Sequence, residues 1–281
     1  MNRLPVSIQA QIVSALVEGN SIRATCRMTG AAKGTVIRLL RDVGKACAEY
    51  QYTTLRNLIC KRLQVDEIWS FCYAKRNHVP KRFKDMFGYG DVWTFTALDA
   101  DTKLVPCWLV GDRDIVAARM FCKDLASRLA HRVQLTTDGM KVYLDAVDHG
   151  FLGDVDYGML VKYYEGSTPE DQRRYSPAIC TGTDKRTILG SPDHAKISTS
   201  FVERQNLTMR MSMRRFTRLT NAFSRKVENL EAALALHFMH YNFGRKHQTL
   251  KTTPAIAAGV DNHVWSVFEI VGLMSFDQKA A

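Results

Sequence analysis

Apolar residues near the start of the chain recur about every three to four positions, the spacing of one helix face. These positions mark a first and a third helix: Ile8, Ile12, Leu16 and Val17, then Val36, Leu39, Leu40 and Val43. Between them, Ser21 is a good N-cap for a second helix, and Gly30 can adopt the positive φ of a tight turn. Three short helices joined in this way predict a helix-turn-helix over residues 1–47, with a small helical bundle as the alternative.

The hydrophobic pattern changes after a helical connector over residues 48–62. Short runs rich in β-branched and aromatic residues then predict strands, and they alternate with amphipathic stretches that predict helices. The predicted strands are 64–73, 92–99, 103–110, 132–137 and 157–164. The predicted helices are 114–130, 140–149, 199–213 and 226–241. A stretch rich in Gly, Pro, Ser, Thr and charge, residues 166–194, is expected to form a long surface loop.

This order of elements indicates an α/β protein. Three strands, a helix, a strand, a helix, a strand and a closing helix are typical of a ribonuclease H-like domain, a mixed sheet flanked by helices. We assign that domain to residues 63–250, after the N-terminal all-α helix-turn-helix domain and before a C-terminal helical tail, 251–281.

The composition narrows the possible partners and the compartment. Lys and Arg number 39 against 28 Asp and Glu, a net charge of +11, which favours a polyanionic partner over a merely well-solvated surface. The 7 cysteines are widely spaced without a CxxC pair, which argues against a disulfide framework and a zinc ribbon. No secretory signal pattern and no apolar run of roughly 18 residues is present, so we expect a cytoplasmic protein without a membrane partner.

Three carboxylates are candidates for chemistry. Asp66 lies in the middle of the first strand among apolar neighbours, where an ionised carboxylate needs a cation or a hydrogen-bond partner. Asp138 ends the fourth predicted strand just before Gly139, which allows a backbone or ligand to come close. Glu203 lies on a helix beyond the long loop. Glu67 is the alternative to Asp66, but alternation along the strand directs it to the opposite face.

If the first and fourth strands are neighbours, Asp66 and Asp138 share one edge, and Glu203 on a covering helix completes a three-carboxylate cluster. Such a cluster repels itself unless a hard cation is bound. Mg²⁺ takes oxygen ligands, and a pair of ions can stabilise the attacking and leaving oxygens of a phosphoryl transfer. We therefore expect two Mg²⁺ ions, with Mn²⁺ as a substitute. The alternative is a purely structural role, in which each acid is a helix-cap or turn residue.

Basic residues cluster in three places where contact with DNA phosphate is expected, although solvated charge is the alternative. The first is one face and the start of the third helix: Lys33, Arg38, Arg41 and Lys45. The second is the excursion between the first two strands: Lys75, Arg76, Lys81 and Arg82. The third follows Glu203, with the first two residues expected on its helix face: Arg210, Arg214 and Arg215.

Four segments carry a resemblance to a known family: residues 65–69 (VDEIW), 137–139 (TDG), 201–206 (FVERQN) and 240–243 (HYNF). They resemble the DDE transposases of bacterial insertion sequences, closely the insertion-sequence-one family, over about residues 10–260. The resemblance implies that Asp66, Asp138 and Glu203 bind two Mg²⁺ ions. It also implies that Arg210 is the basic residue after the Glu, and that the helix-turn-helix recognises terminal inverted repeats. The cysteine-paired zinc module with which many relatives begin is missing.

The expected function is therefore that of a transposase. It would bind the ends of a mobile element, cleave with water, and join the 3′ ends to target DNA as a homodimer or higher oligomer. Two alternatives remain open: a helix-turn-helix repressor with an inactive nuclease-like domain, and a ribonuclease H-like nuclease without strand transfer.

Overall fold

The computed structural model describes residues 4–165, 180–217 and 221–276. Its strands are β1 (Arg62–Cys72), β2 (Gly90–Asp99), β3 (Trp108–Gly111), β4 (Val133–Asp138), β5 (Val155–Tyr164) and β6 (Cys180–Leu189). The helices of its first half are α1 (Val6–Val17), α2 (Ile22–Thr29), α3 (Lys33–Thr54), α4 (Ile115–Ser127) and α5 (Val142–Phe151). Those of its second half are α6 (Ser200–Ser212), α7 (Val227–Met239), α8 (Pro254–Ala257) and α9 (Val267–Phe276).

The strands of the described residues form one mixed sheet in the order β3-β2-β1-β4-β5-β6. The first three strands pair antiparallel, while β4 pairs parallel with β1 on one side and with β5 on the other. The parallel connections run through α4 and α5. The predicted class, an α/β protein with a mixed sheet flanked by helices, is confirmed.

Alternation along β1 and β2 divides the helices between the two faces of the sheet. On one face Phe95 packs against Phe121 of α4 and Tyr143 of α5, with ring centroids 5.8 and 6.4 Å apart. On the other face Trp108 packs against Phe238 of α7 at 4.9 Å. Helix α6 lies on this second face, because the side chain of Gln64 reaches its first turn.

Helix α2 begins and ends as its cap residues predict. The Ser21 hydroxyl accepts a hydrogen bond from the backbone N–H of Ala24 at 3.1 Å, and Gly30 ends α2 with φ of 69°. Helix α3, however, continues without a break to Thr54, so the expected boundary between residues 47 and 48 falls inside a helix.

Helix α3 packs directly against α7. A Cβ added to Gly44 would lie 2.5 Å from the carbonyl oxygen of Ala232, so only glycine allows this approach. The N-terminal helices and the sheet consequently contribute to one continuous hydrophobic core.

Two expectations about loops and strands are wrong. The predicted surface loop 166–194 contains β6, which pairs antiparallel with β5; residues 166–179 lie outside the described residues. Strand β6 is mostly exposed and polar, as an edge strand can be, and therefore lacks the alternating pattern that predicts strands. The third strand begins at Trp108 and not near Lys103. Lys103 instead closes a turn, because its backbone N–H donates to the carbonyl oxygen of Asp99.

Among the residues described, none of the helices combines the length and the apolar character that crossing a membrane requires.

Candidate active site

The candidate carboxylates lie where two parallel strands separate. The pairing of β1 with β4 ends at Gln64 and Thr136, and Asp66 and Asp138 each follow two residues later. Carboxylate oxygens of Asp66, Glu67 and Asp138 lie within 4.8 Å of one another. The end of the pairing thus opens a recess in the sheet with three acidic groups around it.

Asp66 is held by two hydrogen bonds at the centre of this recess. Its Oδ1 accepts from the backbone N–H of Glu67 at 2.9 Å, and its Oδ2 accepts from Nδ2 of Asn206 on α6 at 2.8 Å. Burial first, and then the negative charges of Glu67, Asp138 and Glu203, raise the pKa of Asp66 to about 7. A cation bound beside Asp66 would favour its ionised form and oppose both causes of the shift.

The side chain of Glu67 lies on the face of β1 opposite to that of Asp66, as strand alternation predicts. Its carboxylate nevertheless belongs to the acidic group formed by Asp66, Glu67 and Asp138. Its side chain is 1% exposed. Oε1 accepts from Nε of Arg113 at 2.8 Å, and Oε2 accepts from the Tyr143 hydroxyl at 3.0 Å. Burial and Asp138 raise the pKa of Glu67, while Arg113 and Tyr143 oppose the shift. Because both oxygens are already engaged, Glu67 is less available to a ligand than its position suggests.

Asp138 ends β4 and combines a turn role with a place in the acidic group. Its Oδ1 accepts from the backbone N–H of Met140 at 3.0 Å. For a backbone neighbour the expectation for Gly139 is not met, because a Cβ there would make only an ordinary contact with Val161 at 3.5 Å. The glycine is not needed for a close approach of backbone.

Glu203 lies in the first turn of α6, and a residue of β1 positions that turn. The side-chain oxygen of the buried Gln64 accepts from the backbone N–H groups of Phe201 at 2.8 Å and Val202 at 3.1 Å. Gln64 thereby does the work of an N-cap side chain. Since Gln64 and Asp66 alternate onto the same face of β1, one strand supplies an acid and fixes the helix that supplies another.

The carboxylate of Glu203 has partners of its own. Its Oε1 accepts from the ammonium group of Lys162 on β5 and from the Thr199 hydroxyl. Burial opposes the charged form of Lys162, but the hydrogen bond and charge of Glu203 outweigh it and raise the pKa of Lys162. Lys162 is also close enough to Asp66 to interact with its charge. Lys162 therefore places a positive charge beside the carboxylates of Glu203 and Asp66.

The sequence reasoning missed the residues that hold the acids in place: Gln64, Asn206, Lys162, Arg113 and Tyr143. Strand alternation could have placed Gln64 beside Asp66, and helical spacing could have placed Asn206 one turn after Glu203. Nothing in the sequence pairs Lys162 or Arg113 with an acid so distant along the chain.

The basic residues expected to touch DNA differ in their surroundings. Most are exposed, namely Lys33, Arg38, Arg41, Lys45, Lys75, Arg76, Lys81, Arg82 and Arg214. The expectation that Arg214 shares the helix face of Glu203 is wrong, because α6 ends at Ser212 and Arg214 begins a 3₁₀ turn. Arg210 lies in the last turn of α6 and is half-buried. Arg215 is turned inward: its Nε donates to the Ser224 hydroxyl at 2.8 Å, and burial lowers its pKa to about 10.

The donor set fits a hard divalent cation. Asp66, Asp138 and Glu203 offer only carboxylate oxygens. The structure brings Asp66 and Asp138 together with Glu67, whereas Glu203 is not within the same 4.8 Å group, although its charge acts on Asp66. Hard oxygen donors in a concentrated negative potential are what Mg²⁺ and Mn²⁺ prefer, whereas softer metals prefer sulfur and imidazole. No histidine or cysteine belongs to the acidic group among the described residues.

Neither the family models nor the curated proteins contain a match to this chain. Among solved structures, the chain is similar to a piggyBac transposase in a synaptic complex with hairpin DNA. That alignment has a TM-score of 0.40 and 11% identity, and it covers 98% of this chain and 72% of the other. At this TM-score the likeness does not establish a shared fold, and no functional conclusion follows from it.

Proposed function

We propose that the chain is a DNA transposase with a ribonuclease H-like catalytic domain and an N-terminal helix-turn-helix. The observation that carries the proposal is the convergence of Asp66 and Asp138 where β1 and β4 separate, with Glu203 held nearby by the Gln64 cap. The element order and the resemblance of the four sequence segments to DDE transposases point to the same chemistry.

Asp66, Asp138 and Glu203 would hold the divalent cations. When bound, Mg²⁺ lowers the pKa of water and stabilises the charge that develops on the phosphoryl oxygens. The chain's own residues fix the carboxylates: Asn206 orients Asp66, the Met140 N–H orients Asp138, and Gln64 fixes the turn of Glu203. Lys162 pairs with the carboxylate of Glu203 before the cations and DNA bind.

The reaction is a phosphoryl transfer in two steps. In the first, a water oxygen attacks the phosphorus at the end of the element, and the 3′ oxygen leaves as a hydroxyl. In the second, that hydroxyl attacks a target phosphodiester, so one P–O bond forms as another breaks. No net change in the number of phosphodiester bonds accompanies the joining step.

The exposed basic residues would hold the DNA. Arg38, Arg41 and Lys45 lie along one face of α3, and Lys33 lies at its start. Those of the β1–β2 connection lie on or beside two short 3₁₀ turns, Arg76–His78 and Lys81–Phe83. Phosphate contacts of this kind set position and salt dependence but do not read sequence. Binding by a homodimer or higher oligomer in the cytoplasm belongs to the same proposal.

An assay with DNA that carries the terminal repeats tests this function. With Mg²⁺, a transposase produces strands nicked at the element ends and products in which those 3′ ends are joined to a target duplex. Binding without any cleavage would show the repressor instead, and cleavage without joined products would show the simple nuclease. Either of those results contradicts the proposal.

A further inference from the structure

A second recess lies away from the carboxylates, between the N-terminal helices and the segment that follows α6. Its volume is about 880 Å³, within the range of roughly 300–1,000 Å³ for small-molecule sites. The turn between α1 and α2 abuts the end of α6: Gly19 has φ of +80°, and a Cβ on it would lie 2.9 Å from the Ser212 carbonyl oxygen. We call this recess the basic cleft, after the six cationic residues that line it: Arg23, Arg27, Lys33, Arg214, Arg215 and Arg225.

The charge of the basic cleft is one-sided. No Asp or Glu is among the residues that line it. Within the described part of the chain, Arg23, Arg27 and Lys33 have no acidic partner, and neither have Arg214 and Arg225. Like charges gathered around one recess repel one another unless an anion neutralises them. A ligand suited to the cleft would therefore carry several negative charges.

Apolar side chains form another part of the same lining, including Ile22, Ile37, Phe223 and Leu236. The first three are only half-buried, so they offer apolar surface to the recess. Phe223 is held from behind by Phe71, with ring centroids 4.8 Å apart. A phosphate group gains nothing from contact with apolar side chains, whereas a nucleobase stacks on aromatic and apolar side chains.

His237 adds a polar group to the lining. It is 7% exposed, and its Nε2 has no hydrogen-bond partner among the described residues. Burial, followed by the charges of His240 and Arg245, lowers the pKa of His237 to about 3, so the imidazole is neutral at physiological pH. An unpartnered buried nitrogen is costly to stability.

We propose that the basic cleft binds an unpaired stretch of DNA, with phosphates against the cationic residues and a base against the apolar wall. The strand must be unpaired because the faces of a paired base are covered in the duplex stack. The proposal rests on the proposed function only in taking DNA as the substrate. It places a second DNA contact at the junction of the N-terminal helices and the end of α6.

The test compares two single strands of about eight nucleotides, one of thymidine and one of abasic sites, so that phosphates are equal and only the bases differ. Affinities are measured by fluorescence anisotropy in EDTA. The wild-type protein is expected to bind the thymidine strand roughly tenfold more tightly. Arg225→Glu should weaken the binding of both strands, whereas Phe223→Ala should remove the preference for bases.

Lys123→Glu is the matched control for Arg225→Glu, because it lowers the net charge equally at an exposed position of α4 outside the cleft. It should leave both affinities close to wild type. Equal binding of the two strands by the wild-type protein would overturn the proposal, and so would equal effects of Arg225→Glu and Lys123→Glu.

A second measurement avoids variants that fold poorly. A thymidine strand carrying 5-iodouracil is crosslinked to the wild-type protein, and the attached peptide is identified by mass spectrometry. Crosslinks to the α2 segment or to residues 221–225 are expected, and crosslinks confined to other segments contradict the proposal. Because both measurements are made in EDTA, their failure is separate from a failure to cleave DNA with Mg²⁺.

Discussion

At the scale of single residues, the candidate site depends on side chains that are not themselves acids. Gln64 fixes the first turn of α6, Asn206 orients Asp66, and Lys162 balances Glu203. Each of these contacts joins segments far apart in the chain. The positions of the three acids relative to one another are therefore a consequence of tertiary packing and not of any local motif.

Removing the Gln64 cap should destabilise the protein. Gln64→Leu keeps a similar volume but leaves the N–H groups of Phe201 and Val202 buried without an acceptor, at a cost of about 1–2 kcal/mol. Urea denaturation measures the loss. Gln11→Leu, at an exposed position of α1, is the matched control and should have little effect. Equal free energies of unfolding for the two variants would contradict the capping role.

The buried His237 should make the protein less stable as the pH falls. Its pKa is about 3 in the folded protein against 6.5 ordinarily, so the unfolded chain takes up the proton first as pH falls. The contribution of the neutral imidazole to the free energy of unfolding is fully present above about pH 6.5. As the pH falls towards 3, that contribution declines by about 1.4 kcal/mol per pH unit.

Replacing His237 should remove that dependence. Between about pH 6.5 and pH 5, His237→Gln should lose about 2 kcal/mol less stability than the wild-type protein. Urea denaturation at a series of pH values measures the difference. His78→Gln, in the exposed turn after β1, should follow the wild-type profile. Parallel profiles for wild type and His237→Gln would contradict the assignment.

At the scale of elements, the sequence correctly predicts those helices and strands whose positions are set by hydrophobic periodicity and by cap residues. Ser21 and Gly30 correctly bound α2, and the alternating runs correctly indicate β1, β2, β4 and β5. It misses β6, whose exposed polar residues are set by pairing with β5 and not by burial. The expected domain boundary between residues 47 and 48 falls within α3, whose Gly44 packs against Ala232 of α7, a contact that local periodicity does not predict.

The contact between α3 and α7 can be tested with two glycines of one helix. Gly44→Ala puts a Cβ against the backbone of Ala232 and should cost about 1–3 kcal/mol. Gly34→Ala meets no atom within 4 Å and should leave stability unchanged or raise it by up to about 1 kcal/mol. Thermal or urea unfolding compares them. A neutral Gly44→Ala would mean that the two helices do not approach as described.

At the scale of the whole molecule, the candidate metal ligands and the exposed cations proposed to hold DNA occupy separate regions. The carboxylates lie in a recess of the sheet, while exposed cations cover one face of α3, the β1–β2 connection and the basic cleft. Net charge predicted a polyanionic partner, but it could not predict the cleft. That recess is formed by segments distant in sequence, including the α1–α2 turn and the end of α6, which meet at Gly19 and Ser212.

The central claim is that Asp66, Asp138 and Glu203 carry out phosphoryl transfer on DNA. The direct measurement is the single-turnover rate at which DNA ends are cleaved with Mg²⁺. Asp66→Asn, Asp138→Asn and Glu203→Gln should each lower that rate at least about a hundredfold while end binding persists, because each removes a proposed metal ligand.

Glu228→Gln is the control for this measurement, because Glu228 is an exposed carboxylate in the first turn of α7. It should cleave at the wild-type rate. Wild-type cleavage by any one of the three site variants would contradict the account.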